Sequence, residues 1–353
     1  MFRIIFSFVL LFIFSISYSQ EKRVTLLFAG DAMQHMPQVN SARTANGYNY
    51  SHNFALLKNK ISGADIAFVN FETTLAGKPY SGYPRFSAPD EYAFALKDAG
   101  FDVFFLANNH VVDRGRKGFE RTTAILDSIG IKRTGAFVSE NERGLFYPLM
   151  MIKNGIRIAL LNYTYDTNGM PVISPNIVNA IDTVQMKKDL RLTELYQPDI
   201  VIVNMHWGDE YITYANSQQK RLADFLFRNG VRIIIGNHPH VVQPIVVNRR
   251  ENEIESVVYY SLGNFISNQQ RLNTDGGMLA EIEISKTNNE PVKIEKCGHS
   301  LVWVRKYYDA GKLKYQLIPV EENEKSGNPE LTEPESRKMN IFVRNARRIL
   351  ASN

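Results

Sequence analysis

The chain reads as an α/β protein, with two mostly β sheets flanked by helices in one domain. Three observations predict this. Apolar runs of strand length alternate with segments of helical spacing through most of the chain. Several of those runs end in a polar residue able to bind a metal, as expected where the carboxyl ends of strands collect functional loops. The later runs alternate more and have fewer helices between them, like antiparallel strands.

The first element is a leader. Arg3 precedes the apolar run Ile4 to Ile16, and Ser17-Tyr18-Ser19 offers small residues for a signal peptidase, with cleavage before Gln20. The run is short for a membrane span, so a cleaved signal and an exported, periplasmic or extracellular protein are expected. Without a Cys near the cleavage point, no lipid anchor is expected. Residues 20–320 form the body. Val24–Ala29, Asp65–Phe71 and Asp102–Ala107 read as buried strands. Tyr92–Gly100 and Gly118–Ile129 read as helices, the second ending at Gly130. A second set follows, with strands at Ile156–Tyr163, Ile200–Met205 and Val231–Ile235 and a helix at Ser217–Phe227. Ser256–Ser261, Met278–Ile284 and Ser300–Tyr307 read as antiparallel strands. Residues 321–353 read as a polar linker, Glu321–Glu333, and a basic helix, Ser336–Leu350, docked on the body.

Composition narrows the chemistry. Of 353 residues, 44% are hydrophobic, enough for a sizeable core. The only Cys is Cys297, so no intrachain disulfide forms. The net charge of +5 comes without a long basic run or a basic-aromatic stripe, which argues against nucleic acid as a partner. A mildly basic surface, or an anionic polymer or small anionic substrate, fits that charge.

The candidate site lies at the strand ends. Asp31 follows Gly30; a lone Asp there is more often a turn or cap residue, and it gains weight from its company. His35, four residues on, reads equally as a ligand or an ordinary loop histidine. Asn70 and Glu72 sit two apart on a strand and share a face, where a carboxylate can bridge two cations. Asn108-Asn109-His110 follows the run Phe104 to Ala107, and three polar side chains there are costly without partners. Asp113 is placed to hold one His110 nitrogen while the other works. His206 ends a strand beside Asp209 and Glu210. His238-Pro239-His240 is the most specific piece: in extended backbone the two rings share a face. Asn264, closing the Ser261–Phe265 segment, is a lesser candidate for loop contacts. The mixed nitrogen and oxygen donors without thiolate suit Mn, Fe, Co or Zn better than Ca.

In one order, the chain carries Gly30-Asp31, Asn70-Phe71-Glu72, Ala107-Asn108-Asn109-His110 with Asp113 and Gly115, His206-Trp207-Gly208 with Glu210, Gly236-Asn237-His238-Pro239-His240, and Ser261-Leu262-Gly263-Asn264-Phe265, with Phe86-Ser87-Ala88-Pro89 as a further short match. The set resembles the CapA family of bacterial poly-gamma-glutamate capsule synthesis proteins, itself similar to calcineurin-like metallophosphoesterases. The resemblance implies a four-layer αββα sandwich. It implies one or two divalent transition metal ions held by Asp31, Glu72, Asn109, His206, His238 and His240. It makes His110 the catalytic histidine with Asp113 beside it, and Asn108, Glu210 and Asn264 contacts for substrate. It also implies a role in capsule polymer synthesis, with membrane partners in synthesis or export. Two positions depart from the phosphoesterase pattern: Met33 stands where a His is expected two residues after the first Asp, and Glu72 stands where an Asp is expected. A metallohydrolase and a non-catalytic polymer-binding or assembly module are therefore both carried forward.

Overall fold

The computed structural model describes residues 21–288, 290–327 and 331–352. The leader read at residues 1–19 lies outside the described residues. Alternation along the strands sets the layers. In the strand Glu21–Ala32, Val24, Leu26 and Phe28 enter one apolar cluster while Leu27 and Ala29 enter another. The strand Ile66–Phe71 splits the same way, with Ile66 and Phe68 against Ala67, Val69 and Phe71. On the other side, Ile156–Thr164 sends Ile158 and Leu160 inward and Leu161 and Tyr163 outward. Successive side chains of a strand point to opposite faces, so each of these strands is covered on both sides.

Three apolar seams result, and three seams separate four layers. The middle seam joins both sheets. One outer seam lies under the helices Asp90–Asp98 and Gly115–Ser128, through Tyr92, Leu96, Phe119 and Leu126. The other lies under Thr183–Leu195 and Ser217–Arg228, through Met186, Leu222 and Leu226. The order helix, sheet, sheet, helix is the sandwich that the resemblance implied.

The first sheet runs Lys132–Thr134, Val103–Phe105, Ile66–Phe71, Glu21–Ala32, Gly276–Thr287, Lys293–Asp309, Lys312–Pro319. Its first four strands are parallel and the rest alternate. The second runs Leu149–Lys153, Ile156–Thr164, Ile200–His206, Ile233–Asn237, Glu253–Tyr259, Ile245–Arg250, with the middle four parallel. The two sheets are continuous at one edge, where Ile254 pairs with Ile294. The 17-residue strand Lys293–Asp309 is long enough to start beside one sheet and continue in the other.

One strand reading is corrected in part. Ser256–Ser261 falls on Glu253–Tyr259, which pairs antiparallel with Ile245–Arg250 but parallel with Ile233–Asn237. The intervening hairpin takes the outer edge, so its second strand returns alongside Ile233–Asn237. The stretch read as a linker contains the helix Val320–Ser326. The helix Glu333–Leu350 is capped by Thr332, whose hydroxyl accepts from the Glu335 N–H. Its Met339, Phe342, Val343 and Ala346 are buried in the middle seam. Among the described residues, no helix is long and apolar enough to cross a membrane.

Phe342 is 2% exposed, and a Cβ on Gly276 would lie 2.6 Å from its ring. Phe342→Ala is expected to cost about 3–5 kcal/mol of stability, read as a lower denaturant midpoint, because that close packing leaves a cavity. A helix merely resting on the surface would show less than about 1 kcal/mol.

Candidate metal centre

The parallel strands of both sheets deliver their carboxyl ends to one place. Asp31 stands one residue before the end of Glu21–Ala32, and Glu72 directly follows Ile66–Phe71. His206 ends Ile200–His206, and His238 follows Ile233–Asn237. Asp31, Glu72, Asn109, His110, His206, His238 and His240 are all buried. Close backbone approach brings the sheets together here. A Cβ on Gly30 would lie 1.9 Å from the Gly263 carbonyl oxygen, which accepts from the Asp31 N–H at 3.0 Å.

Asp31 is the hub. The His240 Nδ1–H donates to its Oδ2 at 2.9 Å, and the Asn70 Nδ2–H donates to its Oδ1 at 2.8 Å. The His238 backbone N–H approaches both carboxylate oxygens at 3.3 and 3.4 Å. The turn that makes this possible is not extended, contrary to the sequence expectation. His238 has φ 98° and His240 φ 58°, both in the left-handed region. Each such residue costs on the order of 1–3 kcal/mol and persists only where its surroundings hold it. Here the Asp31 contacts hold it, and the two ring centroids end 5.9 Å apart.

Two groups of ligand atoms emerge, Asp31–Glu72–His206 and Glu210–His238–His240, each within 4.8 Å of one another. Glu72 lies between them: its Oε1 is 3.9 Å from His206 Nε2 and 3.8 Å from His240 Nε2. Asn109 Oδ1 is 3.0 Å from His206 Nε2. Among the described residues, the buried Glu72 Oε1 and His238 Nδ1 find no hydrogen-bond partner. Buried polar atoms are ordinarily paired, so orphaned acceptors facing carboxylates and imidazoles suit a cation. The donor set of nitrogen and oxygen fits a divalent transition metal.

The remaining candidates take other places. The His110 Nδ1–H donates to Asp113 Oδ2 at 2.8 Å, and the same oxygen accepts from the Phe86 N–H at 2.7 Å. Phe86 packs edge-on against His110, ring centroids 4.6 Å apart. Asn108 braces the loop: its Nδ2–H donates to the Phe71 carbonyl at 2.9 Å and its Oδ1 accepts from the His110 N–H at 3.1 Å. Asn264 spends its amide N–H groups on Gln269 Oε1 and the Thr274 carbonyl, both at 2.9 Å. Glu210 is partly exposed, and its carboxylate reaches 4.0 Å from His240 Nε2. His35 caps the short helix Met36–Ala42, with Nδ1 3.2 Å from Gln38 Oε1, and joins neither ligand group. Met33 is buried, and its thioether offers no imidazole nitrogen at the position where a histidine is expected.

Asn70 takes a role beyond its shared face with Glu72, and two neighbours, Tyr165 and Tyr211, escaped the sequence reading. Asn70 ties Asp31 to Glu72, whose Oε2 accepts from its Nδ2–H at 3.1 Å. Tyr165 lies 4.5 Å from the His238 ring, and Tyr211 lies 6.1 Å from the His240 ring. Tyr165 immediately follows the strand Ile156–Thr164, so the strand-end rule that found the ligands reaches it as well.

Burial governs protonation. It raises the Glu72 carboxyl well above the usual range, with the Asp31 charge adding to it. It lowers the His206 and His238 imidazoles well below theirs, which keeps both neutral and able to ligate. It pulls His35 down to about 4 and pushes the Tyr165 hydroxyl up to about 12. The raised Glu72 carboxyl stabilises the metal-free fold below its unfolded value of 4.5, and that contribution is lost as pH rises through the folded value. A cation at Glu72 needs the deprotonated carboxylate, so it competes with the proton that this raised carboxyl favours. Metal affinity is therefore expected to rise with pH through the folded value of this carboxyl, read by calorimetry at several pH values. Affinity independent of pH would contradict that competition.

Comparison with known proteins places the chain. Residues 25–269 match the family model for the bacterial capsule synthesis protein PGA_cap. The capsule biosynthesis protein CapA of Bacillus anthracis is 28% identical over 291 residues, covering 76% of this chain and 66% of that protein. The PGA biosynthesis protein CapA of Bacillus subtilis is 32% identical over 197 residues, covering 54% of this chain and 49% of that protein. The chain thus spans about half of one relative's length and about two thirds of the other's. The solved structure of Haemophilus influenzae NAD nucleotidase aligns with 93% of this chain and 61% of its own, at 10% identity and a TM-score of 0.48. With the match covering most of its sheets and all of its candidate ligands, the chain belongs to the bacterial capsule synthesis protein PGA_cap family.

Proposed function

We propose that this protein is an exported metal-dependent hydrolase that acts in the synthesis of an acidic capsule-type polymer of the poly-gamma-glutamate kind. The observation that carries the reading is the pair of ligand groups with the orphaned Glu72 Oε1 between them. Asp31, Glu72 and His206, with Asn109, would hold one ion, and Glu210, His238 and His240 a second. A divalent ion held there supplies a nucleophilic water and polarises the bond to be cleaved. Asp113 takes the His110 Nδ1–H and so fixes the tautomer, which leaves Nε2 as the nitrogen available for proton transfer with a leaving oxygen or nitrogen. Tyr165 and Tyr211 wall the centre beside the histidines. Family membership supports the polymer role, and capsule synthesis or export proteins in the membrane are the partners proposed.

The test is a hydrolysis screen of Mn- and Zn-loaded protein against phosphoesters and gamma-glutamyl oligomers, with His110→Ala as control. Turnover that needs metal and His110 supports the reading; no turnover with any loaded metal sinks it. The second reading, a non-catalytic assembly module, draws on one observation: Met33 gives the first group no histidine from its own strand. A His110→Ala protein that fully supports polymer production in cells would favour that module.

A further inference from the structure

A groove of about 280 Å³ opens between the loop after Asn264, the strand Lys293–Asp309 and the helix Glu333–Leu350. Arg271, Lys306 and Lys338 line it from those three elements. The Arg271 guanidinium lies 4.2 Å over the ring of Tyr211, one aromatic ring away from His240. Arg271 therefore links the groove to the aromatic wall of the metal centre. Its two carboxylates are already engaged: Asp275 accepts from the Trp303 indole N–H at 3.0 Å, and Glu335 pairs with Arg305 at 2.9 Å. Among the described residues, neither Arg271 nor Lys338 has a carboxylate partner. Among the described residues, the Lys306 ammonium donates to the Gln269 carbonyl at 2.8 Å, and Asp275 lies near enough to favour its charge. Burial lowers the Lys306 ammonium to about 8, which leaves it cationic at neutral pH.

We propose that Arg271, Lys306 and Lys338 form a carboxylate-binding subsite, which holds the acidic chain beyond the unit presented to the metal centre. Three positive heads on three elements suit single charges spaced along a chain better than one compact dianion. A guanidinium parked on an aromatic face keeps its N–H fork free for a carboxylate. The proposal rests on the acidic polymer reading above, but binding here needs no catalysis.

The test measures binding of a fluorescent gamma-linked oligoglutamate of about ten residues to metal-free and Mn-loaded protein across salt concentrations. The double variant Arg271→Gln/Lys338→Gln is expected to bind about tenfold or more weakly and to lose about two units of the log–log salt slope. Arg250→Gln, in the hairpin at the far end of the second sheet, is expected to bind as the parent does. Unchanged affinity in the double variant overturns the subsite. So does a parent that fails to bind the oligomer at low salt, or that binds an oligonucleotide of equal charge more tightly. Binding that persists without metal and is lost in the double variant supports the subsite even where hydrolysis is absent, so its failure and that of the metal reading are separable.

Discussion

His240→Ala is expected to strip one ion from the protein and to lower hydrolysis by more than about 10²-fold. The imidazole does two jobs in one place. Its Nδ1–H donates to Asp31, the hub carboxylate, and its Nε2 faces both Glu72 and Glu210. Loss of a residue that merely orients a ligand typically costs about 10–100-fold in metal affinity or activity, so loss of a ligand that also orients a second one should exceed that range. The substitution also removes a contact that holds the left-handed turn at His238 and His240. Elemental analysis and initial rates on the same preparation check the result. A variant that retains full metal and full rate would remove His240 from the centre.

His110→Ala is expected to retain metal and to lower kcat by about 10²–10⁴-fold, the usual weight of a positioned proton donor or acceptor. The separation of the two readouts is the point of the variant. His110 belongs to neither ligand group, while its pairing with Asp113 fixes which nitrogen carries the proton. Asp113→Asn should be milder for the proton step but harsher for the loop, because Asp113 Oδ2 also accepts from the Phe86 N–H. Metal content, kcat and a thermal melt together separate these effects. Metal lost alongside activity in His110→Ala would place the histidine among the ligands instead.

Much of the sandwich was legible in the order of residues. The runs around Phe28, Phe68, Leu160 and Ile202 are apolar at successive positions, which marks strands buried on both faces. Such runs end abruptly at Asp31, Glu72, His206 and His238, and that change of polarity located the centre. Less was legible where long-range pairing decides direction. Glu253–Tyr259 looks like its neighbours in sequence, and only the edge position of the preceding hairpin sets it parallel to Ile233–Asn237.

By itself, then, the sequence determined the layers and the ligand candidates, because periodicity and strand ends are local properties. The tertiary structure decided what those candidates do. It turned His35 into a helix cap and Asn108 and Asn264 into loop braces, because each found its partners within a few ångströms in the fold. It drew Glu210 toward the histidine pair and bent that pair into left-handed backbone around Asp31, a residue more than two hundred positions away. No local rule reaches that far: the cost of the turn is set by the turn, and the contacts that sustain it come from the other sheet.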